Sequence, residues 1–383
     1  MMSLMIDRVR TRADLKEFII LPRRLYEGFP DYVAPLDRER QQLLDPKKSA
    51  FFTHGVASYW IARRNGQAVG RVSAQIDFAA VGEDAHEIGM FGCLDAIDDK
   101  EVVAALLRTA EDWLRQRKRR VVRGPFLLSI AGEPGLLIEG QWQSPTTLLG
   151  WHPAYLDGHV RAAGYNSATK LYCFNCKQEE LKEELAGQEQ RQAAAALLAR
   201  ANVVIRDMRL DNFDVDMETA RRIVNDGWHR NWGYTPVTES DAHALASQFR
   251  PLLFSDSGFF VENKGEPVAV MLAIPNMFDI MADIGPAPGL LGWAKLLYRM
   301  WRQSYRSFRV VLVGLTSRYQ NSVLGGVIAG VAIAEEGRRL RARGVDVILG
   351  WVQEDNHALL RIFDALGFRS SRTYGIYEKH LIT

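Results

Sequence analysis

Cysteine is scarce in this 383-residue chain, and so is any excess of one charge. Cys93, Cys173 and Cys176 are too few and too uneven in number to build a disulfide framework. Cys173-Phe-Asn-Cys176 lacks a second pair or neighbouring histidines, so it reads as two reduced thiols, and no metal is expected. Lys and Arg total 48 against 46 Asp and Glu, a balance that excludes both a disordered chain and a nucleic-acid-coating one. The N-terminus shows no basic stretch followed by an apolar core, so no secretory signal is evident and a cytoplasmic location is expected. The longest uncharged apolar run, Val323 to Ala334, falls short of the roughly 20 residues a spanning helix needs, which leaves only peripheral membrane contact.

What is present is a globular balance of 47% apolar and 25% charged residues, in a chain long enough for two domains with cores of their own. Self-similarity supports two. Tyr59-Trp-Ile-Ala-Arg-Arg-Asn-Gly66-Gln-Ala-Val-Gly70 resembles Phe259-Phe-Val-Glu-Asn-Lys-Gly265-Glu-Pro-Val-Ala269, an offset of 199, and both read as β-hairpins. Glu101 to Gly124 and Val327 to Gly350 each read as an amphipathic helix with a basic last turn feeding a buried strand, now offset by 226. Tyr155 to Gly164 matches Ala358 to Gly367 at an offset of 203. The shifts place an insertion of 27 residues in the second copy and another around Pro125 to Gly150 in the first. A mixed α/β sheet flanked by helices follows, with boundaries at 1–177, a helical linker at 178–202, and 203–383.

In the second copy the strand Val310 to Thr316 runs into Ser317-Arg-Tyr-Gln-Asn-Ser-Val-Leu-Gly-Gly326 and then an apolar helix. Unpaired N–H groups at such a helix start suit a pyrophosphate. The placement resembles the acyl-CoA loop of GNAT enzymes, Gln/Arg-x-x-Gly-x-Gly/Ala, with Gln320 and Gly325 kept and Val323 in place of a glycine. Trp351-Val-Gln-Glu354-Asp-Asn356 to Gly367-Phe368 resembles the GNAT ending, in which an Asn opens the last helix near the coenzyme. In the first copy Pro153 replaces that Asn, and Leu94 to Lys100 has no glycine, so that copy is expected to lack coenzyme.

With these residues together, the chain from about Phe18 to Lys379 is similar to the bacterial ceramide synthase-like branch of the GNAT superfamily. Asp45-Pro-Lys-Lys-Ser-Ala-Phe51-Phe-Thr-His54, Val69-Gly-Arg71, Arg123-Gly-Pro125, Gly135 to Gly140, Trp228-His-Arg-Asn231-Trp232 to Ser240 and Tyr374-Gly-Ile-Tyr377 carry the likeness. The resemblance implies tandem GNAT folds and an acyl-CoA-dependent N-acyltransferase that joins a long-chain acyl-CoA to a sphingoid base, sphinganine or its 3-oxo form. It implies a coenzyme site at Leu315, Thr316, Arg318, Gln320, Asn321, Ser322, Gly325, Gly326, Asn356 and Tyr377, and an amine site at His54, Asn231, Trp232, Thr238, Glu239 and Trp351.

The chemistry needs a base for the attacking amine and an acid for the departing thiolate. Glu354, His229, Glu239 and His54 are candidate bases, with Glu354 preferred; Tyr374 or Tyr377 is the candidate acid, with Tyr374 preferred. Each has a plainer reading: Glu354 as a carboxylate capping the helix near Asn356, His229 as a packed histidine, and the tyrosines as strand aromatics. The second-copy insertion places Leu290, Trp293, Leu297, Met300 and Trp301 at helical spacing beside Lys295, Arg299, Arg302 and Arg306. That pattern suits an anionic bilayer surface, and equally a helix packed on its own sheet. A GNAT enzyme for a small polar amine and a non-catalytic acyl-CoA or lipid-binding module remain as competing functions.

Overall fold

The computed structural model describes residues 4–130, 132–180, 188–365 and 368–381. The first half runs β1 (Leu4–Arg8), α1 (Arg12–Leu25), α2 (Asp37–Leu44), β2 (Gly55–Arg64), β3 (Gln67–Asp77), β4 (Ile88–Ala96) and α3 (Lys100–Arg115). It continues through β5 (Val121–Gly124), β6 (Leu136–Glu139), α4 (Tyr155–Ala162) and β7 (Asn166–Cys176). Helix α5 (Gln188–Arg200) lies within the expected linker, of which 181–187 falls outside the described residues. The second half begins with β8 (Val203–Asp207), α6 (Phe213–Trp228), α7 (Glu239–Phe249), β9 (Gly258–Asn263), β10 (Glu266–Pro275) and α8 (Phe278–Met281). It ends with α9 (Leu290–Trp301), β11 (Ser307–Leu315), α10 (Val323–Arg343), β12 (Asp346–Gln353), α11 (His357–Ala365) and β13 (Ser370–His380).

Local chemistry explains the repeat. Asn65-Gly66 and Lys264-Gly265 all adopt positive φ, the two-residue turn whose twist matches the strands it joins, so both hairpins close identically. Helix α3 starts on Asp99, whose side chain accepts from the N–H groups of Glu101 and Val102, and it buries Val102, Val103, Leu106, Leu107, Ala110 and Leu114. Helix α10 starts on Ser322 and stops at Gly344 in the left-handed region. In the second half, α10 covers one sheet face with Ile328, Ala332 and Leu340, while α6 and α7 cover the other with Phe213, Ile223, Val224 and Phe249.

Among the described residues the strands form one 13-stranded sheet, ordered β1-β2-β3-β4-β5-β13-β7-β12-β11-β10-β9-β8, with β6 also on β13. The two halves exchange their last strands. β7 pairs with β12 of the second half, and β13 returns to lie between β5 and β7. Cys173 and Cys176 sit on β7 in two different cores, and burial pushes their thiols up to about 11 and about 12, so both stay protonated.

Candidate functional site

The two halves differ where their parallel strands part. β11 and β12 pair in register from Ser307–Asp346 to Val310–Leu349; beyond that β11 follows β10 and β12 follows β7. A wedge opens between them, edged by backbone groups that no strand among the described residues satisfies. At its apex the buried Arg309 donates to Gly350 O at 3.1 and 3.2 Å and to Thr147 O at 2.6 Å, tying both strands to the first half. In the first half, β4 and β5 part after Met90–Arg123, but the chain itself fills the gap. Phe126 N donates to Phe91 O at 2.9 Å, Phe126 O accepts from Gln75 at 3.0 Å, and a Cβ on Gly92 would lie 1.7 Å from Phe126 O.

At the mouth of the second-half wedge, β11 passes through Leu315 and Thr316 into the start of α10. Ser322 accepts from Gly325 N at 3.0 Å, and a Cβ on Gly325 would meet Tyr319 O at 1.8 Å, so only glycine lets the loop fold this tightly. The N–H groups of Val323 and Leu324 come first in the helix and have no acceptor within it, while Asn321, Ser322, Val323 and Gly326 are exposed beside them. Arg318 lies against Glu266 at 2.7 Å. Gln320 departs from expectation: its Nε2 donates to Gly227 O at 2.8 Å and Leu315 O at 3.1 Å, which uses both of its protons and leaves none for an anion. Asp226 holds the loop as well, accepting from Ser317 N at 2.6 Å and Ser317 Oγ at 3.0 Å. Trp228 Nε1 donates to Val313 O at 3.1 Å, so the end of α6 is fastened along β11.

The expected catalytic residues fall in different places. Glu354 follows the last residue of β12, half-buried, and its Oε1 accepts from Lys170 N of β7 at 3.1 Å, on the side of β12 away from β11. It does not cap α11; Asn356 does, accepting from Leu359 N at 3.3 Å. His229 is exposed beside the α10 loop, with Nδ1 donating to Asp226 O at 2.6 Å and Nε2 accepting from Arg230 at 3.3 Å. That leaves it no lone pair with which to act as a base. Tyr374 is fully buried among Tyr26, Trp151, Trp232 and Trp351, and donates to Gly150 O at 3.0 Å. Burial pushes its phenol well above the ordinary value, so protonating a thiolate, whose acid has a pKa of about 8.5, runs uphill. Tyr377 lies in the first half's core with its hydroxyl on Asp157, because β13 is exchanged; it is not beside the α10 loop.

The expected amine-site residues divide. Trp232 and Trp351 share one aromatic cluster, Trp232 O accepts from Gln353 Nε2 at 2.9 Å, and Arg123 of the first half lies over the Trp232 ring. Asn231 is exposed on the same loop, which thereby crosses from α6 to β12. Thr238 is the N-cap of α7 in a capping box with Asp241, and Glu239 is exposed in that first turn. His54 stands apart from the wedge. Its Nδ1 is 2.8 Å from Asp77 and its Nε2 3.1 Å from Asp241, so it bridges the halves. Burial lowers its pKa, but the bonds to Asp241 and Asp77 outweigh that and raise it.

Known proteins fit this geometry. No protein-family model matches the chain. A protein of Caulobacter vibrioides (strain NA1000 / CB15N) named bacterial ceramide synthase is 35% identical over 381 residues, covering 99% of this chain and 98% of its own. The chain belongs to the bacterial ceramide synthase family. Protein YghO of Escherichia coli K12 is 32% identical, over 97% of this chain and 94% of its own. Among solved structures, the tandem GNAT protein of the clavulanic acid biosynthesis pathway superposes with a TM-score of 0.55 at 11% identity, covering 99% and 98% of the two chains. A GCN5-related N-acetyltransferase of Sphaerobacter thermophilus gives 0.51 at 12%, covering 98% and 95%. The fold is thus a tandem GNAT fold, and as a member of the ceramide synthase family the chain is an acyltransferase. Asp226, Trp228, Arg309 and Gln353, which fasten the wedge of this ceramide synthase relative, had no part in the sequence-based site, because each bonds a backbone group far away in the chain.

Proposed function

We propose that the second half binds a long-chain acyl-CoA and transfers its acyl group to the amine of a sphingoid base, sphinganine or 3-oxosphinganine, forming an amide. The observation that carries this reading is the wedge between β11 and β12 with the start of α10 at its mouth. The unpaired N–H groups of Val323 and Leu324 suit the diphosphate. The amide-bearing arm of the coenzyme can hydrogen-bond along the open edge of β11, as an added strand does. The first half, filled at the same place by Phe126, holds no coenzyme in this reading.

Glu354 is the base. Its second oxygen carries no hydrogen bond among the described residues and is free to take the amine proton. As the nitrogen bonds to the thioester carbon, the oxyanion is held by N–H groups on the β11 edge. The C–S bond then breaks, and the proton held by Glu354 passes to the coenzyme thiolate. Trp232 and Asn231 form a lid over the amine, and the enzyme works in the cytoplasm, with peripheral contact to an anionic membrane.

Purified protein with palmitoyl-CoA, sphinganine and a thiol reagent tests this. Coenzyme A release that requires the lipid amine is expected, reduced about a hundredfold or more in Glu354→Gln. Release with polyamines or peptides instead would assign a small polar amine, and none with any amine would leave a binding module.

A further inference from the structure

The second-half insertion exposes an apolar surface that nothing among the described residues covers. α9 turns Trp293, Leu296 and Met300 onto the second half's core. The opposite side presents Leu290, Leu291, Leu297, Tyr298 and Trp301, with fractional exposures from 59% for Leu297 to 91% for Leu290. These positions recur at helical spacing, so they form one continuous stripe rather than scattered surface residues. The grouping differs from that expected from sequence, where Trp293 and Met300 shared a face with Leu297 and Trp301.

The charge around the stripe is one-sided. No Asp or Glu occurs from Ile284 to Arg306, whereas Lys295, Arg299, Arg302 and Arg306 lie in that stretch. Lys295 and Arg299 share Asp283. Arg302 and Arg306 are exposed and have no ion-pair partner among the described residues, and Arg38 of α2 reaches over Trp293. A second copy of the chain would bring this cationic rim against itself. A bilayer with anionic headgroups takes up both parts, the arginines at the phosphates and the Leu, Tyr and Trp side chains at the acyl boundary.

We infer that α9 is a membrane-docking helix that seats the protein on an anionic lipid surface through Leu290, Leu291, Leu297, Tyr298 and Trp301. The inference deepens the lipid-amine reading and rests on it for its purpose, since a sphingoid base resides in such a surface. The docking itself is measured without substrate, so the two stand or fall separately.

The full-length protein is floated with vesicles of phosphatidylcholine alone or mixed with phosphatidylglycerol. Binding to the mixed vesicles is expected, weaker by about tenfold or more on phosphatidylcholine alone and in high salt. Leu297→Ser/Trp301→Ser is expected to lower binding by about tenfold or more, as is Arg302→Glu/Arg306→Glu. All four positions are exposed, and circular dichroism confirms that the variants fold. Equal binding by the wild type and both double variants, or no binding to either vesicle, overturns the inference. So does sedimentation showing a dimer that Leu297→Ser/Trp301→Ser dissolves, since the stripe then meets another copy.

Discussion

Gly325 and Gly326 are neighbours with opposite constraints. The first has a carbonyl 1.8 Å from where a Cβ would sit, and the second has open space. Gly325→Ala is therefore expected to unseat the Ser322 cap and weaken coenzyme A binding about tenfold or more, while Gly326→Ala stays near wild type, both read by calorimetric titration. Equal affinities would remove the α10 loop as the anion site. Glu336, on the same helix, is buried, and burial pushes its carboxyl up to about 8 with Oε2 unpartnered. A carboxyl raised above its unfolded value penalises the fold increasingly as pH climbs from about 4.5 towards 8. Glu336→Gln lifts that penalty, so in urea denaturation the variant should gain on wild type by about 1 to 3 kcal/mol between pH 5 and pH 8. Parallel pH curves would mean a solvated carboxyl. At this scale the sequence is a partial guide. The glycines of both hairpin turns were legible because positive φ leaves few other choices, whereas Gln320 was assigned to an anion and bonds α6. Residue type states what a side chain can bond, and only the fold supplies the neighbour.

Elements were more legible than side-chain roles, since a helix or hairpin announces itself within its own span. Both hairpins, the α3–β5 and α10–β12 pairs and the last helices lie where the internal repeat put them. The exchange of β7 and β13 was not legible. Both are eleven-residue strands with buried runs, and an apolar pattern fixes which face is buried without naming the partner. Contacts between elements of the two halves can still be tested through His54, which joins the end of β3 at Asp77 to the first turn of α7 at Asp241. Its raised pKa means that the stabilisation is present below the usual value near 6.5 and is lost as pH rises through the folded value. His54→Gln should lose less stability than wild type over that rise. The difference is expected to stay under about 1 kcal/mol because the site is partly solvated. Thermal melts from pH 6 to pH 9 measure it, and a wild-type loss no larger than the variant's would show that the fold does not raise the pKa of the imidazole.

At the scale of the molecule, strand exchange decides how the protein comes apart. β13 carries Tyr374, Ile376 and Tyr377, all at most 1% exposed, and lies between β5 of the first half and β7, which is itself paired to β12 of the second. Removing either half strips the other of a central strand and leaves apolar edges in water, so neither half has a complete sheet of its own. Two beads on a linker would melt separately; one interleaved sheet should not. Scanning calorimetry of the full chain is accordingly expected to give a single transition whose calorimetric and van't Hoff enthalpies agree. A chain ending before Ser370 should fail to fold even in its first 177 residues, although it contains every one of them. Two resolved transitions, or a native-like first half in the truncated chain, would show that the halves are held side by side by contact alone. That outcome would also detach the wedge from the first half, because Arg309 reaches Thr147 only while the exchanged strands keep the two halves in register.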